Sequence, residues 1–558
     1  MTNKQISAKF SLLNKLMDLH NENAFKSKSY ASASFKIRQL QEPLSEMTQK
    51  EISSIPGIGV AISQKIIELL ESGSFKLLDE LLNKTPEGIL EMLQIKGLGA
   101  KKIATIWKEM EIEDIGQLLH AIDENRLLRF EGFGKKTQDN IRQAIEFYQK
   151  QKGHFLFGQV DEFSKDFYKT LLQHLSTKLV SISGDIRRHS ETISFIDYVV
   201  ALDKNEIIKQ LTKIAGLKII AEEDQKIEYE TAEGIKVNVH ASDENNFGNH
   251  LFTTSGSQIF VNQFNHQYPD LLNTPYSSEE EIFKSVNMQF IPAFLRESES
   301  VIEVAQEYKI PRVIEPNDIK GLIHCHSVWS DGIATIEEMA KGCIERGLEY
   351  MVISDHSKAA FYAQGLTEER IIAQHLEIDK LNKKLAPFKI FKCIECDILS
   401  NGDLDYNNEI LSSFDLVIAS VHSNLKMNEQ KAMHRLMKAI ENPFTTILGH
   451  MTGRLLLSRD GYPVDHEKII DACAKNKVVI EINANPRRLD MRWQWIPYAL
   501  GKGVMLSIDP DAHSVAEIDN NKYGVYAAQK AMLISAQNLS SFSLFEFEKY
   551  LAGLSKRG

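Results

Sequence analysis

Gly321-Leu-Ile-His324-Cys-His326-Ser-Val-Trp-Ser-Asp331-Gly332 is the stretch from which the fold of this chain can be read. A short apolar run ends in two histidines two residues apart, so on a strand both imidazoles point to one face, and a carboxylate follows five residues later. That is how a chain begins a metal site. Taken alone, the pair is equally what a polar sheet surface shows, so the residues downstream decide. There, short apolar runs alternate with helical segments, the pattern of a barrel of parallel strands. Seven strands are predicted, at 319–326, 350–356, 388–396, 415–422, 444–450, 477–484 and 503–509. Six of the seven carry His, Asp or Glu at or just past the carboxyl end: His324, His326 and Asp331; His356; Glu395; His422; His450; Asp511 and His513. In a parallel α/β barrel those ends converge on one rim, where active sites sit. A mixed His, Asp and Glu set suits Mn²⁺, Zn²⁺ or Fe²⁺ better than Mg²⁺ or Ca²⁺. Nine ligands exceed one ion, so two or three divalent ions sharing bridging carboxylates are expected, with Glu395 and Asp511 as the bridges. His434 and His466 fall in helical segments and are expected to be exposed.

At 558 residues the chain exceeds one core, and domain size predicts three to five units. Hydrophobic residues make up 43% and charged residues 25%, ordinary for a soluble globular protein. No apolar run spans a bilayer and the amino terminus lacks a signal-peptide core, so a cytoplasmic protein with no membrane partner is expected. Five cysteines, Cys325, Cys343, Cys393, Cys396 and Cys473, read as reduced thiols; the Cys393/Cys396 spacing puts that pair on opposite faces of a strand. The net charge of −11 opposes a nucleic-acid partner only until it is divided. Residues 1–150 hold 21 Lys and Arg against 20 Asp and Glu, so the acidity lies in the remainder, where metals are expected.

The first 150 residues repeat a short motif three times: Ile55-Pro-Gly57-Ile-Gly59-Val, Ile95-Lys-Gly97-Leu-Gly99-Ala and Phe130-Glu-Gly132-Phe-Gly134-Lys, each before a helix-forming segment. The leading apolar residue is expected to anchor a tight turn, the first glycine to permit it, and the second to let a phosphate approach the N–H groups at the next helix start. This is the helix-hairpin-helix pattern of sequence-independent DNA binding. One Gly-x-Gly is more often a plain helix-helix turn; three in one context reverse that balance. Lys65, Lys101, Lys102, Lys135 and Lys136 follow the turns, where cations reinforce phosphate binding, although each alone also fits a solvated helix face.

Ser183-Gly184-Asp185-Ile-Arg187-Arg188, followed by Phe195-Ile-Asp197, resembles the palm signature of the bacterial family X DNA polymerases, Gly-Ser-x-Arg-Arg and then Asp-x-Asp on a strand. Thr254-Ser255-Gly256-Ser257 falls where that family has a Thr-Gly-Ser turn. The resemblance implies a third palm aspartate, and its place is taken by Asn238; Phe195 stands at the first and only Asp197 remains, while Asp185 replaces a serine facing the triphosphate. Two magnesium ions need several hard carboxylate oxygens, so this palm is expected not to polymerise DNA, with Arg187 and Arg188 still able to bind phosphate. The carboxyl-terminal set, His-x-His, Asp331, Asp355-His356, Glu395, His422, His450 and Asp511-Ala-His513, is similar to that of the polymerase-and-histidinol-phosphatase (PHP) phosphoesterase domain. That resemblance implies a distorted seven-stranded barrel with a trinuclear centre, in which metals activate a bridging water to attack phosphorus in line. No separate general base is implied. Arg454, four residues beyond His450, is a candidate phosphate binder, Asp355 a candidate orienter of a ligand histidine, and Trp493 and Trp495 candidates for base stacking or, more commonly, packing.

The expected architecture is multidomain α/β: a helical lyase-like region at 1–85 with the first hairpin, hairpin fingers at 86–150, a nucleotidyltransferase-like palm at 151–240, a thumb-like segment at 241–309, a linker at 310–318 containing Pro311 and Pro316, and a (β/α)7 PHP barrel at 319–558. The expected function is metal-dependent 3′-5′ exonuclease, with abasic-site cutting as an extension, acting as a monomer on gapped, single-stranded or abasic DNA with Mn²⁺. The alternatives are an active repair polymerase with attached nuclease, a small-molecule phosphatase of the histidinol-phosphatase type, and a non-enzymatic DNA-end scaffold.

Overall fold

Three glycines set the local geometry at the amino terminus. The computed structural model describes residues 1–554 apart from Gln41 and Lys96. In it, Gly57, Gly97 and Gly132 have φ of +90°, +92° and +84°, a region closed to most side chains. Each turn leads into a helix, Val60–Ser72, Ala100–Lys108 or Lys135–Lys152. The anchoring differs in part from expectation: the residue between the glycines, Ile58, Leu98 or Phe133, is buried in every copy, while of the leading residues Ile95 is buried as expected. The other two, Ile55 and Phe130, are only partly covered, because the turn folds the middle residue beneath the hairpin. By packing, the chain forms two compact units, Met1–Ile122 with Glu131–Tyr148, and Asp123–Phe130 with the chain from Gln149 onward. Residues 123–130, which sequence alone groups with the amino-terminal helices, therefore belong to the second unit.

The second unit opens with a five-stranded mixed sheet: β1 (Val180–Ser183), β2 (Ile196–Ala201), β3 (Lys218–Glu222), β4 (Lys226–Glu230) and β5 (Lys236–Ser242), in the order β1-β2-β5-β4-β3. Strands β2 and β5 run parallel with Asp197 opposite Asn238. An apolar core that includes Tyr198, Val200, Val237 and Val239 lies beneath it.

Beyond it, the seven apolar runs become β6 (Gly321–Cys325), β7 (Tyr350–Ile353), β8 (Lys389–Asp397), β9 (Leu416–Ser420), β10 (Ile447–Leu448), β11 (Val479–Asn483) and β12 (Leu506–Asp509). All are parallel, each neighbours the next, and a bridge from Cys325 to Ala512 brings the first edge to the last, leaving a nearly closed barrel. The period of two sorts the side chains. Ile323, Val352, Cys393, Ile418, Ile447 and Val479 share one core cluster inside the barrel, while Met351, Cys396, Ala419, Leu448 and Ile480 lie in the clusters packed outside it. Cys393 and Cys396 thus fall in different clusters, and all five cysteines are free and buried. Phe547, from the last helix Leu544–Leu554, stacks on Tyr350 at 4.5 Å and lies edge-on to Phe391 at 4.9 Å, plugging the amino-terminal end of the barrel. Among the described residues, no helix is long and apolar enough to cross a membrane.

Candidate metal centre

Along the inward parity, each strand changes chemistry as it nears its carboxyl end. Val352 is followed by Ser354 and His356, Cys393 by Glu395 and Asp397, Ile418 by Ser420 and His422, and Val479 by Glu481 and Asn483. The same alternation that fills the barrel with hydrocarbon therefore delivers imidazoles and carboxylates to one rim. His324 and His326 reach that rim by a less direct route than strand alternation. The β6/β7 register shifts between Leu322 and Cys325 and His324 sits at φ +60°, so a bulge aims both rings inward. Asp511 (+54°) and His450 (+22°) are also in the left-handed region, where non-glycine residues cost free energy that the surrounding packing must offset.

All nine sequence-predicted residues meet there, in four overlapping groups whose donor atoms lie within 4.8 Å of one another: His326, Asp331, His356 and His513; His324, His326 and Asp511; His324, Glu395 and His450; His356, Glu395 and His422. Glu395 is the hub. Its oxygens lie 2.9 Å from His356 Nδ1, 2.9 Å from His450 Nε2, 3.0 Å from His422 Nε2, 3.3 Å from His324 Nε2 and 3.6 Å from His326 Nε2. Asp511 is shared between His326 (3.1 Å) and His324 (3.4 Å), and Asp331 between His356 (3.3 Å) and His513 (3.4 Å).

Whether this cluster suits a cation can be judged from its unsatisfied atoms. His324 Nε2, His326 Nδ1, both nitrogens of His356, His450 Nδ1, His513 Nε2, Asp331 Oδ2 and Glu395 Oε2 are buried with no hydrogen-bond partner. Buried donors and acceptors are nearly always satisfied, so this many orphans in one place fits side chains arranged to hold cations. The electrostatics agree. Burial opposes charge on His324, yet Glu481, Asp511 and Glu395 hold its pKa well above the usual imidazole range. Against the same penalty, Glu395 and Asp331 hold His422 at about 9 and His513 at about 10, respectively with Asp397 and Asp511 also contributing. Burial likewise opposes charge on Glu395, which His422, His324 and His356 keep well below the usual carboxylate range. Protons on imidazoles balance the carboxylates where metal charge would otherwise do so.

Sequence reading missed the residues that orient the rings. Glu481, on the strand taken as lacking a ligand, accepts from His324 Nδ1 at 2.7 Å. Asp397 accepts from His422 Nδ1 at 3.2 Å, and the Asp511 carbonyl from His513 Nδ1 at 3.0 Å. Each bond turns the other ring nitrogen toward the cluster. The signal was present in Val479-Ile-Glu481-Ile-Asn483, where both polar residues share the inward parity. The hydrogen bonds of Asp355 go elsewhere than to a histidine: it accepts from Ser327 N and Oγ, Ser330 Oγ and Gln374 Nε2 and so ties down the loop carrying Asp331. Arg454 is 2% exposed and pairs with Glu191 at 2.6 Å, which leaves no open guanidinium for a substrate phosphate. Trp495 packs rather than presenting a free face, stacked at 4.6 Å on a half-buried His466, which is therefore not an exposed surface histidine; His434 is exposed.

On the palm, Asp197 Oδ1 accepts from Asn238 Nδ2 at 2.9 Å and His240 Nε2 at 3.0 Å. Phe195 lies beneath the Lys236 ammonium, 5.5 Å from its ring centre. Arg187 donates to Ser255 Oγ at 2.9 Å and pairs with Glu279 at 2.5 Å, while Arg188 pairs with Asp185 and with Glu297 at 3.4 Å. Both arginines expected to face phosphate are thus engaged by the protein's own carboxylates.

Comparison with known proteins follows the same division. Residues 1–75 match the helix-hairpin-helix domain, 89–146 the SAM-like helix-hairpin-helix tandem, and 323–485 the PHP domain. The chain is 34% identical over 558 residues to a DNA polymerase/3′-5′ exonuclease PolX of Bacillus subtilis (strain 168), covering 96% of each. The chain belongs to the PolX family. A probable phosphatase of Thermoanaerobacter sp. (strain X514) is 28% identical over 169 residues, 29% of this chain and 62% of that protein, and one of Acetivibrio thermocellus is 28% identical over 167 residues, 29% and 63%. The PolX relationship and the hairpin domains make this a DNA-binding enzyme, and the PHP domain with its buried clusters implies divalent metals.

Proposed function

We propose that this protein is a metal-dependent 3′-5′ exonuclease acting in DNA repair, with its active centre at the barrel rim and a palm that has lost nucleotidyl transfer. The observation that carries the proposal is the convergence of five imidazoles on Glu395. In this reading His324, His326, Asp331, His356, Glu395, His422, His450, Asp511 and His513 hold two or three ions, with Glu395 and Asp511 bridging. The donor set favours Mn²⁺, with Zn²⁺ or Fe²⁺ also compatible. When bound, such ions supply Lewis acidity to phosphate oxygens and lower the pKa of water. The chain's own residues do the remainder. Glu481, Asp397 and the Asp511 carbonyl fix the rings, Asp355 holds the Asp331 loop, and no side chain need serve as a separate base.

Loss of polymerase chemistry is supported by the palm geometry. The carboxylate left at the signature positions, Asp197, already accepts from Asn238 and His240, and Lys236 stands beside Phe195 where a cation site would need negative charge. The hairpin glycines fit a role in gripping the backbone: nothing lies within 4 Å of a Cβ built on Gly59, Gly97, Gly99, Gly132 or Gly134, leaving room for a phosphate; a Cβ on Gly57 would meet the Lys36 side chain. Boundaries near 85, 150, 240, 309 and 318, a monomeric state and a cytoplasmic location complete the reading. Purified protein with Mn²⁺ is expected to release mononucleotides from the 3′ end of 5′-labelled single-stranded and gapped DNA and to add none to a primed template. Hydrolysis of a small phosphomonoester without attack on DNA would overturn the reading in favour of a phosphatase, and incision of an abasic duplex would extend it.

A further inference from the structure

Residues 123–130 pack in the same unit as the barrel although their neighbours in sequence do not, and they bring charge to the metal rim. Arg126 lies in the 3₁₀ turn Arg126–Arg129. Its guanidinium carbon sits 4.1 Å above the ring of Tyr362, and its Nε is 2.5 Å from Glu124, with about a quarter of the side chain open to solvent. Tyr362, in the turn Phe361–Ala363 after β7, lies edge-on to His356 with ring centres 6.3 Å apart. Its hydroxyl is buried and has no hydrogen-bond partner. Through the Tyr362 ring, which it covers, the Arg126 guanidinium is thus one side chain removed from His356 of the cluster. Next to Tyr362, Phe361 is 85% exposed, an unusual cost for a phenyl ring on a surface. A guanidinium, an unsatisfied hydroxyl and an exposed aromatic ring are thus grouped beside a site rich in carboxylates.

A nucleotide needs these three groups. Its phosphate is repelled by Asp331, Glu395 and Asp511 unless cations offset them, and a guanidinium over an aromatic ring is positioned to donate two parallel bonds. Its base stacks on an exposed ring without sequence preference. We propose that Arg126 and Tyr362 seat the phosphate of the 3′-terminal nucleotide and that Phe361 stacks a neighbouring base, so that the nuclease site is completed by a segment outside the barrel. This rests on the exonuclease reading above, but it replaces Arg454 with a group that sequence places nearly two hundred residues before the first metal-site residue.

The test uses the full chain loaded with Mn²⁺ and the variants Arg126→Ala, Arg126→Lys, Tyr362→Phe and Phe361→Ala, with Leu128→Ala, an exposed neighbour on the same segment, as control. Two readouts are taken: kcat and KM on a single-stranded oligonucleotide, and calorimetric affinity for thymidine 5′-monophosphate, with metal content checked by elemental analysis. Losing a charge-assisted contact is expected to lower kcat/KM and nucleotide affinity by about 10- to 100-fold in Arg126→Ala, with unchanged metal content. Arg126→Lys is expected to recover part of the loss, Tyr362→Phe to lose about tenfold, and Phe361→Ala to raise KM with little change in kcat. Unchanged nucleotide affinity in Arg126→Ala overturns the inference, as does faster turnover, which would mark the segment as a plug. If wild type digests no DNA the exonuclease reading fails separately, and the nucleotide affinities still decide whether Arg126 seats a phosphate.

Discussion

The palm and the barrel rim are both built where parallel strands bring polar residues side by side, yet they differ in how charge is balanced. On the palm, one carboxylate, Asp197, is satisfied by neighbouring side chains, and both signature arginines are paired with carboxylates. At the rim, the buried carboxylates Asp331, Glu395 and Asp511, with Glu481 and Asp397 behind them, face six imidazoles, and several ring nitrogens are left with no partner. The palm leaves few buried polar atoms without a hydrogen bond, Asn238 Oδ1 and Arg188 Nε among them, and its carboxylate is already engaged. A site with many buried orphans is arranged for something that arrives from outside.

The strongest way to break this comparison is to empty the rim. His324→Ala combined with His326→Ala should remove bound metal and lower exonuclease turnover at least about a thousandfold, several kcal/mol of charge stabilisation being lost. Retained activity in a labelled-oligonucleotide assay would disprove the assignment. A subtler probe leaves every donor in place. Glu481→Gln keeps the acceptor beside His324 but removes its charge, and should weaken metal binding by about 10- to 100-fold in a chelator competition.

Proton balance sharpens the contrast further. In the metal-free protein His422 and His513 are held at about 9 and about 10, so near pH 7 both are protonated, and an entering cation must displace those protons. Apparent metal affinity should then rise with pH by about tenfold per unit for each proton displaced, levelling off above pH 10. Calorimetry at pH 7 in buffers of different ionisation enthalpy should register proton release; a pH-independent affinity would contradict the charge balance described. The smallest expected effect is on the palm. Asp197→Ala should change exonuclease activity less than about twofold, since surface and non-site substitutions rarely propagate. Template-dependent primer extension by wild type that disappears in Asp197→Ala would erase the difference between the two regions.

Much of the barrel was legible because its determinants are local. Seven apolar runs of strand length, spaced by helical segments, specify parallel strands, and polar residues at their ends specify a rim by the geometry of the fold alone. The three Gly-x-Gly turns were legible for a similar reason, since positive φ at the first glycine is a backbone demand that sequence records directly. Even so, in the first and third hairpins the buried anchor lies three residues beyond the expected one, since which apolar side chain a turn buries depends on what packs beneath it.

What sequence alone determined, then, is the set of chemical groups and the elements that carry them: nine side chains that cluster at one rim, seven strands, three hairpin turns. What only the tertiary structure decided is their partners. Arg454 became half of a buried ion pair with Glu191, 263 residues away. Asp355 took serines rather than a histidine, Glu481 took His324, and Arg126 was carried to the rim by a turn that sequence assigns elsewhere. The physical reason is range. Strand alternation and turn conformation are fixed by residues within a few positions, whereas hydrogen bonds and ion pairs between side chains depend on distances that only packing of the whole unit sets.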